Sequence, residues 1–233
     1  MKREKRILVI DNSVDPAVYR PVEHWRTNMT CEVEAYRPAD EDVPRDLSRF
    51  SHLIVTGSEA TVMGDDEWIL RTCDLIRELA MEKMPIFGSC FGHQMIVRAI
   101  SGKQFVRRSP TPEFGWVEVA FRPNHLNDPL LVDLHSPLFT YAVHFDEVYP
   151  LPKDWERLAT SKRCENAIIK WRHGSVWGVQ HHPEIGIEEG AALYSAILDG
   201  SPERMEMIKA GYESQPRDSL VTPALMKAFL SVE

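Results

Sequence analysis

Apolar runs alternate with helical patterns along the first hundred residues of this chain. Residues 7–10 and 52–56 are short apolar runs that end in turn-forming residues, a pattern typical of buried parallel strands at their carboxyl ends. Residues 68–82 instead repeat their apolar positions every three or four residues, which predicts an amphipathic helix. The alternation predicts an α/β fold with an open, mostly parallel central sheet flanked by helices. Further strands are predicted over residues 31–36 and 85–87, and further helices over residues 16–28 and 95–101.

The middle of the chain has a different pattern. Five short apolar runs are separated by turns rich in Pro, Gly and Asn, which predicts a smaller, mostly antiparallel strand region. Beyond this region three stretches have helical character. We therefore expect a main domain over residues 1–200 and a helical C-terminal extension over residues 201–233. The five runs cover residues 116–121, 139–143, 156–160, 167–171 and 175–179, and the three helical stretches cover residues 187–198, 202–212 and 222–232.

Composition narrows the class of protein. The 233 residues are 43% hydrophobic and 27% charged, which is ordinary for a globular protein with a full core. The net charge of −8 argues against a nucleic-acid partner, because phosphate binding needs a basic surface. No stretch approaches the roughly 18 apolar residues of a membrane span, and the N-terminal apolar run is too short for a signal peptide. We therefore expect a cytoplasmic protein without a nucleic-acid or membrane partner.

The cysteines and histidines predict no metal site. The four cysteines are irregularly spaced and form neither a disulfide framework nor a C-x-x-C pair, so reduced thiols, as in the cytoplasm, are expected. The histidines at 144, 173, 181 and 182 match no zinc spacing. The chain also lacks the two common glycine-rich nucleotide-binding motifs, and we expect no cofactor.

One cysteine has the sequence context of a nucleophile. Cys90 lies between Gly88 and Gly92, after a strand pattern and before a helix pattern. Glycines at these positions permit the sharp turn that exposes a nucleophile between a strand and a helix. The positive end of the helix dipole also favours the thiolate at this point. Cys90 is therefore the candidate nucleophile.

A second motif supplies a base and a carboxylate. His182 and Glu184 flank Pro183 at the end of a predicted strand, 92 residues after Cys90. Positions i and i+2 of an extended segment point to the same side, so His182 and Glu184 line one wall, and Pro183 stiffens the connection. Cys90, His182 and Glu184 then form a nucleophile, a base and an orienting carboxylate. His181 stays the alternative base, although it points the other way.

Together the two motifs resemble the class I (triad) glutamine amidotransferase family. The resemblance rests on Gly-Ser-Cys-Phe-Gly-His-Gln at 88–94 and Gln-His-His-Pro-Glu at 180–184, and it spans roughly residues 7–200. It is closest to stand-alone members similar to the amidotransferase domain of GMP synthase. Histidine at 181 departs from the family, which usually has an aromatic or other bulky residue there. The resemblance implies a flavodoxin-like α/β fold and also takes in residues 56–62, 66–69, 113–116 and 144–148.

The resemblance implies a reaction for the three residues. Cys90 is expected to attack the side-chain amide carbon of glutamine and form a γ-glutamyl thioester. His182 is expected to transfer the proton to the departing ammonia, while Glu184 orients the imidazole. Water then hydrolyses the thioester to glutamate.

The resemblance also assigns supporting roles by position. The backbone N–H groups of Gly57 and Phe91 are expected to bind the tetrahedral oxyanion, and such a donor is typically worth about 3 kcal/mol. Gln94 matches a position that contacts bound glutamine. Val143 and His144 are expected to help hold the α-amino and α-carboxylate groups.

The partner and the substrate leave alternatives open. The roughly 33 residues after position 200 are too few for an ATP-using synthetase domain, so transferred ammonia would reach a separate synthetase chain. A γ-glutamyl hydrolase or peptidase acting on a γ-glutamyl conjugate would use the same thioester. A third hypothesis is a non-enzymatic regulatory protein on this scaffold, against which the intact set of Cys90, His182 and Glu184 argues.

Overall fold

The computed structural model describes residues 5–40, 44, 46–200, 205–213 and 216–233. The strands are β1 (Arg6–Ile10), β2 (Glu32–Tyr36), β3 (His52–Val55), β4 (Ile86–Ser89), β5 (Val106–Phe121), β6 (Leu138–Val148), β7 (Trp155–Ser161), β8 (Ile168–Trp171), β9 (Val176–Val179) and β10 (Tyr212–Glu213). The helices are α1 (Pro21–Arg26), α2 (Glu67–Met81), α3 (Phe91–Ser101), α4 (Ile187–Gly200), α5 (Met205–Gly211) and α6 (Thr222–Ser231).

The described strands form one mixed sheet. Its order is β10-β5-β7-β8-β9-β4-β3-β1-β2, with β6 paired to β5. The pairs β1–β2, β1–β3, β3–β4, β4–β9 and β5–β10 are parallel. The pairs β5–β6, β5–β7, β7–β8 and β8–β9 are antiparallel. The α/β class holds, whereas the sheet is mixed rather than mostly parallel.

Strand β9 joins the two halves that the sequence pattern separates. It pairs parallel with β4 on one edge and antiparallel with β8 on the other. The apolar run of β9 is fully buried, and a buried run has the same pattern whichever way its neighbours run. The parallel region and the antiparallel region are therefore one continuous sheet.

The two faces of the sheet are covered by different helices. Along β1, Leu8 and Ile10 pack in a core shared with α2 and α3, whereas Ile7 and Val9 pack in a second core that includes Trp25 of α1. Successive strand residues point to opposite faces, so a four-residue apolar run supplies both cores.

The C-terminal region contributes to this packing. Helix α6 buries Leu225, Met226 and Phe229 in the second core, and the Phe229 ring lies 5.8 Å from that of Phe87. Strand β10 adds to the sheet edge beside β5. The segment predicted as a helical extension thus includes a strand and a helix that completes the core, and part of the stretch 202–212 lies outside the described residues. No helix within the described ranges is both long and apolar enough to cross a membrane.

Candidate active site

Cys90 lies on a tight turn between β4 and α3. Its φ of 50° and ψ of −109° are unfavourable for a residue with a side chain. A Cβ on Gly88 would lie 2.6 Å from the backbone carbon of Gly92, and a Cβ on Gly92 would lie 2.0 Å from the carbonyl oxygen of Val55. Glycine is therefore required on both sides of the turn, and the strand–turn–helix unit expected around Cys90 is present.

Parallel pairing of β4 with β9 brings the two sequence motifs together. Ser89 is in register with Val179, and the backbone N–H of Cys90 donates to the Val179 carbonyl at 2.8 Å. The chain then continues to His182, whose N–H donates to the Tyr141 carbonyl at 2.7 Å. The histidine thus leaves its strand directly beside the cysteine turn.

His182 lies between Cys90 and Glu184. Its Nδ1 is 2.8 Å from Oε1 of Glu184, and it lines the same cavity as Cys90. Both His182 and Glu184 are buried. Burial alone would lower the pKa of His182, but the negative charges of Cys90 and Glu184 and the hydrogen bonds to them raise it to about 10. The arrangement therefore favours an imidazolium beside the sulfur.

The neighbouring histidine has a different environment. His182 lines the cavity at Cys90, whereas His181 is buried away from it with no hydrogen-bond partner for its Nδ1 among the described residues. Burial, with the charges of His182 and His93, lowers the pKa of His181 to about 3. Of the two candidate bases, the geometry favours His182.

The predicted oxyanion donors lie beside these groups. Phe91 is the first residue of α3, so its N–H has no partner within the helix. Gly57 follows β3 and is packed closely, because a Cβ there would lie 2.7 Å from Cε1 of His182 and 2.9 Å from the hydroxyl oxygen of Tyr19. Only glycine fits between these two rings.

The cavity wall includes the residues predicted to bind substrate. The side-chain amide of Gln94 donates to the carbonyl of Asp146 at 2.7 Å and to Oε1 of Gln180 at 3.2 Å. The Val143 carbonyl oxygen lies 3.3 Å from Sγ of Cys90. Gln94 and Val143 both line the cavity.

His144 also lines the cavity, but its ring is engaged with the protein. Its Nδ1 lies 3.0 Å from the carbonyl oxygen of Asp146, and its Nε2 lies 3.2 Å from Oε2 of Glu113. Glu113 in turn accepts a hydrogen bond from the Ser161 hydroxyl at 2.6 Å. The ring therefore supports the wall and offers no free nitrogen to a ligand.

The sequence interpretation missed Tyr19. Its hydroxyl donates to Oε1 of Glu184 at 3.0 Å and lies 3.3 Å from Nδ1 of His182. It lies in the loop between β1 and α1, in a part of the stretch 16–28 that was predicted as helix and carries no recognisable motif. The available signal was its place in the connection that follows a parallel strand, because the carboxyl ends of such strands face one crevice.

A charged pair on the cavity wall was also missed. Arg108 and Asp146 form an ion pair at 3.0 Å, and Asp146 also accepts a hydrogen bond from Thr61 at 2.6 Å. Arg108 lies over the ring of Phe145. The pair places both signs of charge on the wall of the cavity that Cys90 also lines.

The cavity itself has a volume of about 590 Å³. Beside the polar wall, α4 supplies an apolar wall of Leu193, Ala196 and Ile197. Within the described part of the chain, no group of three or more His, Cys, Asp or Glu could hold a metal ion. A thiol, an imidazole and a carboxylate in such a cavity can perform nucleophilic substitution at an amide.

Comparison with known proteins places this fold and site in a family. The model of the glutamine amidotransferase class-I family matches residues 8–196, and the chain belongs to that family. It is 32% identical over 173 residues to a glutamine-hydrolysing GMP synthase of Porphyromonas gingivalis, which covers 74% of this chain and 32% of that protein. The chain thus spans about a third of the length of that relative.

Two other relatives are closer in length. The chain is 28% identical to one of the subunits of a glutamine-hydrolysing GMP synthase of Methanothermobacter thermautotrophicus, covering 70% of this chain and 79% of that one. It is 27% identical to gamma-glutamyl peptidase 4 of Arabidopsis thaliana, covering 84% of this chain and 80% of that one.

A solved structure has the same fold. The crystal structure of a glutamine amidotransferase from Thermotoga maritima matches with a TM-score of 0.76, covering 98% of this chain and 97% of that one. At 19% sequence identity, this likeness concerns the fold alone.

Proposed function

We propose that this protein is a cysteine-dependent glutamine amidotransferase that hydrolyses the side-chain amide of glutamine. The observation that carries the proposal is the buried contact of His182 with Glu184 at 2.8 Å, beside a cavity lined by Cys90, Phe91 and His182. Family membership supports glutamine as the substrate.

The reaction follows from the protonation of these groups. The Cys90 thiolate attacks the amide carbon, and the N–H groups of Gly57 and Phe91 stabilise the oxyanion. The His182 imidazolium gives its proton to the nitrogen, the C–N bond breaks, and ammonia leaves a γ-glutamyl thioester on Cys90. Neutral His182 then takes a proton from water, which attacks the thioester and releases glutamate and the thiolate. Glu184 holds the imidazole in orientation throughout.

Substrate binding is assigned to the rest of the cavity wall. Gln94 and Val143 are proposed to contact the glutamine, and His144 is proposed to act by supporting that wall. Arg108 and Asp146, which both line the cavity, are proposed to neutralise the α-carboxylate and the α-amino group of the substrate. No cofactor or metal is required by this scheme.

The ammonia is proposed to pass to a separate synthetase subunit in the cytoplasm. The similarity to a protein named as one of the subunits of a GMP synthase supports this proposal. The catalytic unit is proposed to occupy residues 1–200, with residues 201–233 as a C-terminal extension. Co-purification from native cells, with and without cross-linking, tests for an ATP-dependent partner.

Labelling by a glutamine-like diazo-ketone tests the proposed reaction. We expect one covalent adduct, located at Cys90 by mass spectrometry, and loss of glutamine hydrolysis in Cys90→Ala. Cys31→Ala is the matched control, because Cys31 is a partly exposed thiol that does not line the cavity. Full hydrolysis by Cys90→Ala would overturn the proposal.

The cavity volume favours one second candidate, a hydrolase of γ-glutamyl conjugates. About 590 Å³ lies within the range of roughly 300–1,000 Å³ that suits drug-sized ligands, and the apolar wall could hold an apolar amine. The similarity to a protein named gamma-glutamyl peptidase supports this alternative.

Comparison of kcat/KM for glutamine and for a γ-glutamyl amide of an apolar amine decides between the candidates. Preference for the conjugate, lost selectively in Ile197→Ser, would favour the second candidate. Equal use of glutamine by wild type and Ile197→Ser, with poor turnover of the conjugate, would favour the first.

A further inference from the structure

We infer that Tyr19 is a positioning residue for the reaction, holding Glu184 and His182 in their working geometry through its hydroxyl group. This inference rests on the proposed function of Cys90 and His182. It concerns a residue on the loop after β1, outside the three-residue set.

Three polar atoms, one each from Tyr19, His182 and Glu184, all lie within hydrogen-bonding distance of one another. The hydroxyl oxygen of Tyr19 is 3.0 Å from Oε1 of Glu184 and 3.3 Å from Nδ1 of His182, and these last two atoms are 2.8 Å apart. A phenol carries one donor and can also accept. Tyr19 can therefore donate to the carboxylate while its oxygen faces the imidazolium N–H.

The carboxylate depends on few other groups. Its Oε2 has no hydrogen-bond partner among the described residues, so its contacts converge on Oε1. Besides His182 and Tyr19, the Ser89 hydroxyl also contacts Oε1. Its distance of 3.4 Å is long for an O–H···O hydrogen bond. Tyr19 is thus the principal group that restrains Glu184 from outside the three-residue set.

The hydroxyl of Tyr19 stays protonated in this environment. Burial and the negative charges of Glu184 and Cys90 raise the pKa of Tyr19 well above its ordinary value. The group is therefore a constant donor over the pH range in which His182 exchanges its proton.

The loop that carries Tyr19 is tied to the oxyanion segment. The carboxylate of Glu59 accepts hydrogen bonds from the N–H groups of Val14 at 2.8 Å and Asp15 at 3.3 Å. The carbonyl of Asp15 in turn accepts from the N–H of Tyr19 at 3.0 Å. Glu59 follows Gly57 by two residues, so one short segment orients both the proposed oxyanion donor and Tyr19.

Ring packing restrains the same residue. The Tyr19 ring lies edge-on to that of His182, with centroids 5.7 Å apart and planes at 86°. Phenylalanine keeps this packing and removes only the hydroxyl. Tyr19→Phe is therefore the variant that separates positioning by hydrogen bonds from packing.

The experiment compares Tyr19→Phe with wild type and with Tyr36→Phe. Tyr36 is a matched control, because its hydroxyl also contacts a carboxylate, Oε2 of Glu34 at 3.3 Å, but lies outside the cavity. We expect Tyr19→Phe to lower kcat for glutamine about tenfold, the effect of a hydrogen bond to a charged group, with KM within about twofold. The melting temperature should stay near that of wild type.

Alkylation of Cys90 by iodoacetamide provides a readout that does not need glutamine turnover. A less firmly held imidazolium stabilises less thiolate, so we expect the alkylation rate to fall roughly threefold in Tyr19→Phe and to stay unchanged in Tyr36→Phe. If wild type fails to hydrolyse glutamine, the proposed function fails, but slower alkylation in Tyr19→Phe still supports the inference. Unchanged alkylation, or a loss of kcat explained by a lower melting temperature, overturns it.

Discussion

The histidines of two buried regions have pKa values shifted in opposite directions. In the triad region, defined by Cys90, His182 and Glu184, the pKa of His182 is raised to about 10. In the neutral region, defined by His93 and His181, burial lowers both pKa values to about 3. Desolvation acts on all three imidazoles, so the difference comes from the negative partners, which only His182 has. Burial alone thus does not decide the charge of a histidine.

The largest expected effect comes from removing the charged histidine of the triad region. His182→Ala should lower kcat for glutamine by about 10³-fold, within the range of general acid–base contributions. His181→Ala should stay within about tenfold of wild type, because its ring does not line the cavity. Steady-state glutamate release measures both, and a greater loss in His181→Ala would show that the base was misassigned.

Removing one negative partner should move the triad region towards the neutral region. Glu184→Gln keeps the shape but loses one of the two negative charges, those of Cys90 and Glu184, that raise the pKa of His182. We expect kcat to fall about 10²-fold, and alkylation of Cys90 to become slower at neutral pH. Asp146→Asn, a carboxylate change at a residue that lines the cavity, is the control for general loss of charge. Its alkylation rate should match wild type, and equal slowing in both variants would contradict the explanation.

The neutral region should make the fold sensitive to acid. His93 and His181 stay uncharged in the folded protein, but in the unfolded chain they take up protons below about pH 6.5. The unfolded state then binds more protons, so stability falls as the pH drops from about 6.5 towards 3. At pH 5 the loss is about 2 kcal/mol for each histidine. His182 adds none of this loss, because it is protonated in both states below pH 6.5.

Urea unfolding at pH 7 and pH 5 measures this loss. His181→Gln should lose about 2 kcal/mol less than wild type between the two pH values. His173→Gln is the control, because His173 is exposed, and this variant should not reduce the loss as His181→Gln does. Identical pH dependence in wild type and His181→Gln would exclude the explanation.

The smallest expected effect concerns Ser89. Its hydroxyl contacts Oε1 of Glu184 at 3.4 Å, so Ser89→Ala should lower kcat less than about threefold. Tyr19→Phe, which loses the shorter contact to the same oxygen, should lower it more. The same glutamine assay ranks the two variants, and the reverse order would show that contact length is a poor guide here.

Much of the site follows from local sequence rules. The turn at Cys90 needs Gly88 and Gly92 because a Cβ would clash with backbone atoms on both sides. His182 and Glu184 do meet, but not through the extended segment that was expected: residues 183–184 form a turn, closed by a hydrogen bond from the Ile185 N–H to the His182 carbonyl at 3.2 Å. The rule for the turn at Cys90 acts within a few residues, so it is visible in the sequence. The catalytic roles of these residues stay predictions.

The position of Tyr19 and the order of the strands in the sheet could not be predicted from such local rules. No motif marks Tyr19, which reaches Glu184 across 165 positions. The apolar runs of β4 and β9 predict strands but not that the two pair in parallel, which depends on how helices and hairpins connect them. Similarly, α6 is visible as a helix, but its burial of Phe229 in the core depends on which face of the sheet is still uncovered.

The sequence by itself determined the family, the α/β class and the turn that presents Cys90. Tertiary structure decided which histidine is charged, where Tyr19 lies and how the sheet becomes continuous. The physical reason is the separation along the sequence of the residues that interact. Turns arise from neighbouring residues, whereas burial and the charge of a partner distant in sequence exist only in the folded chain.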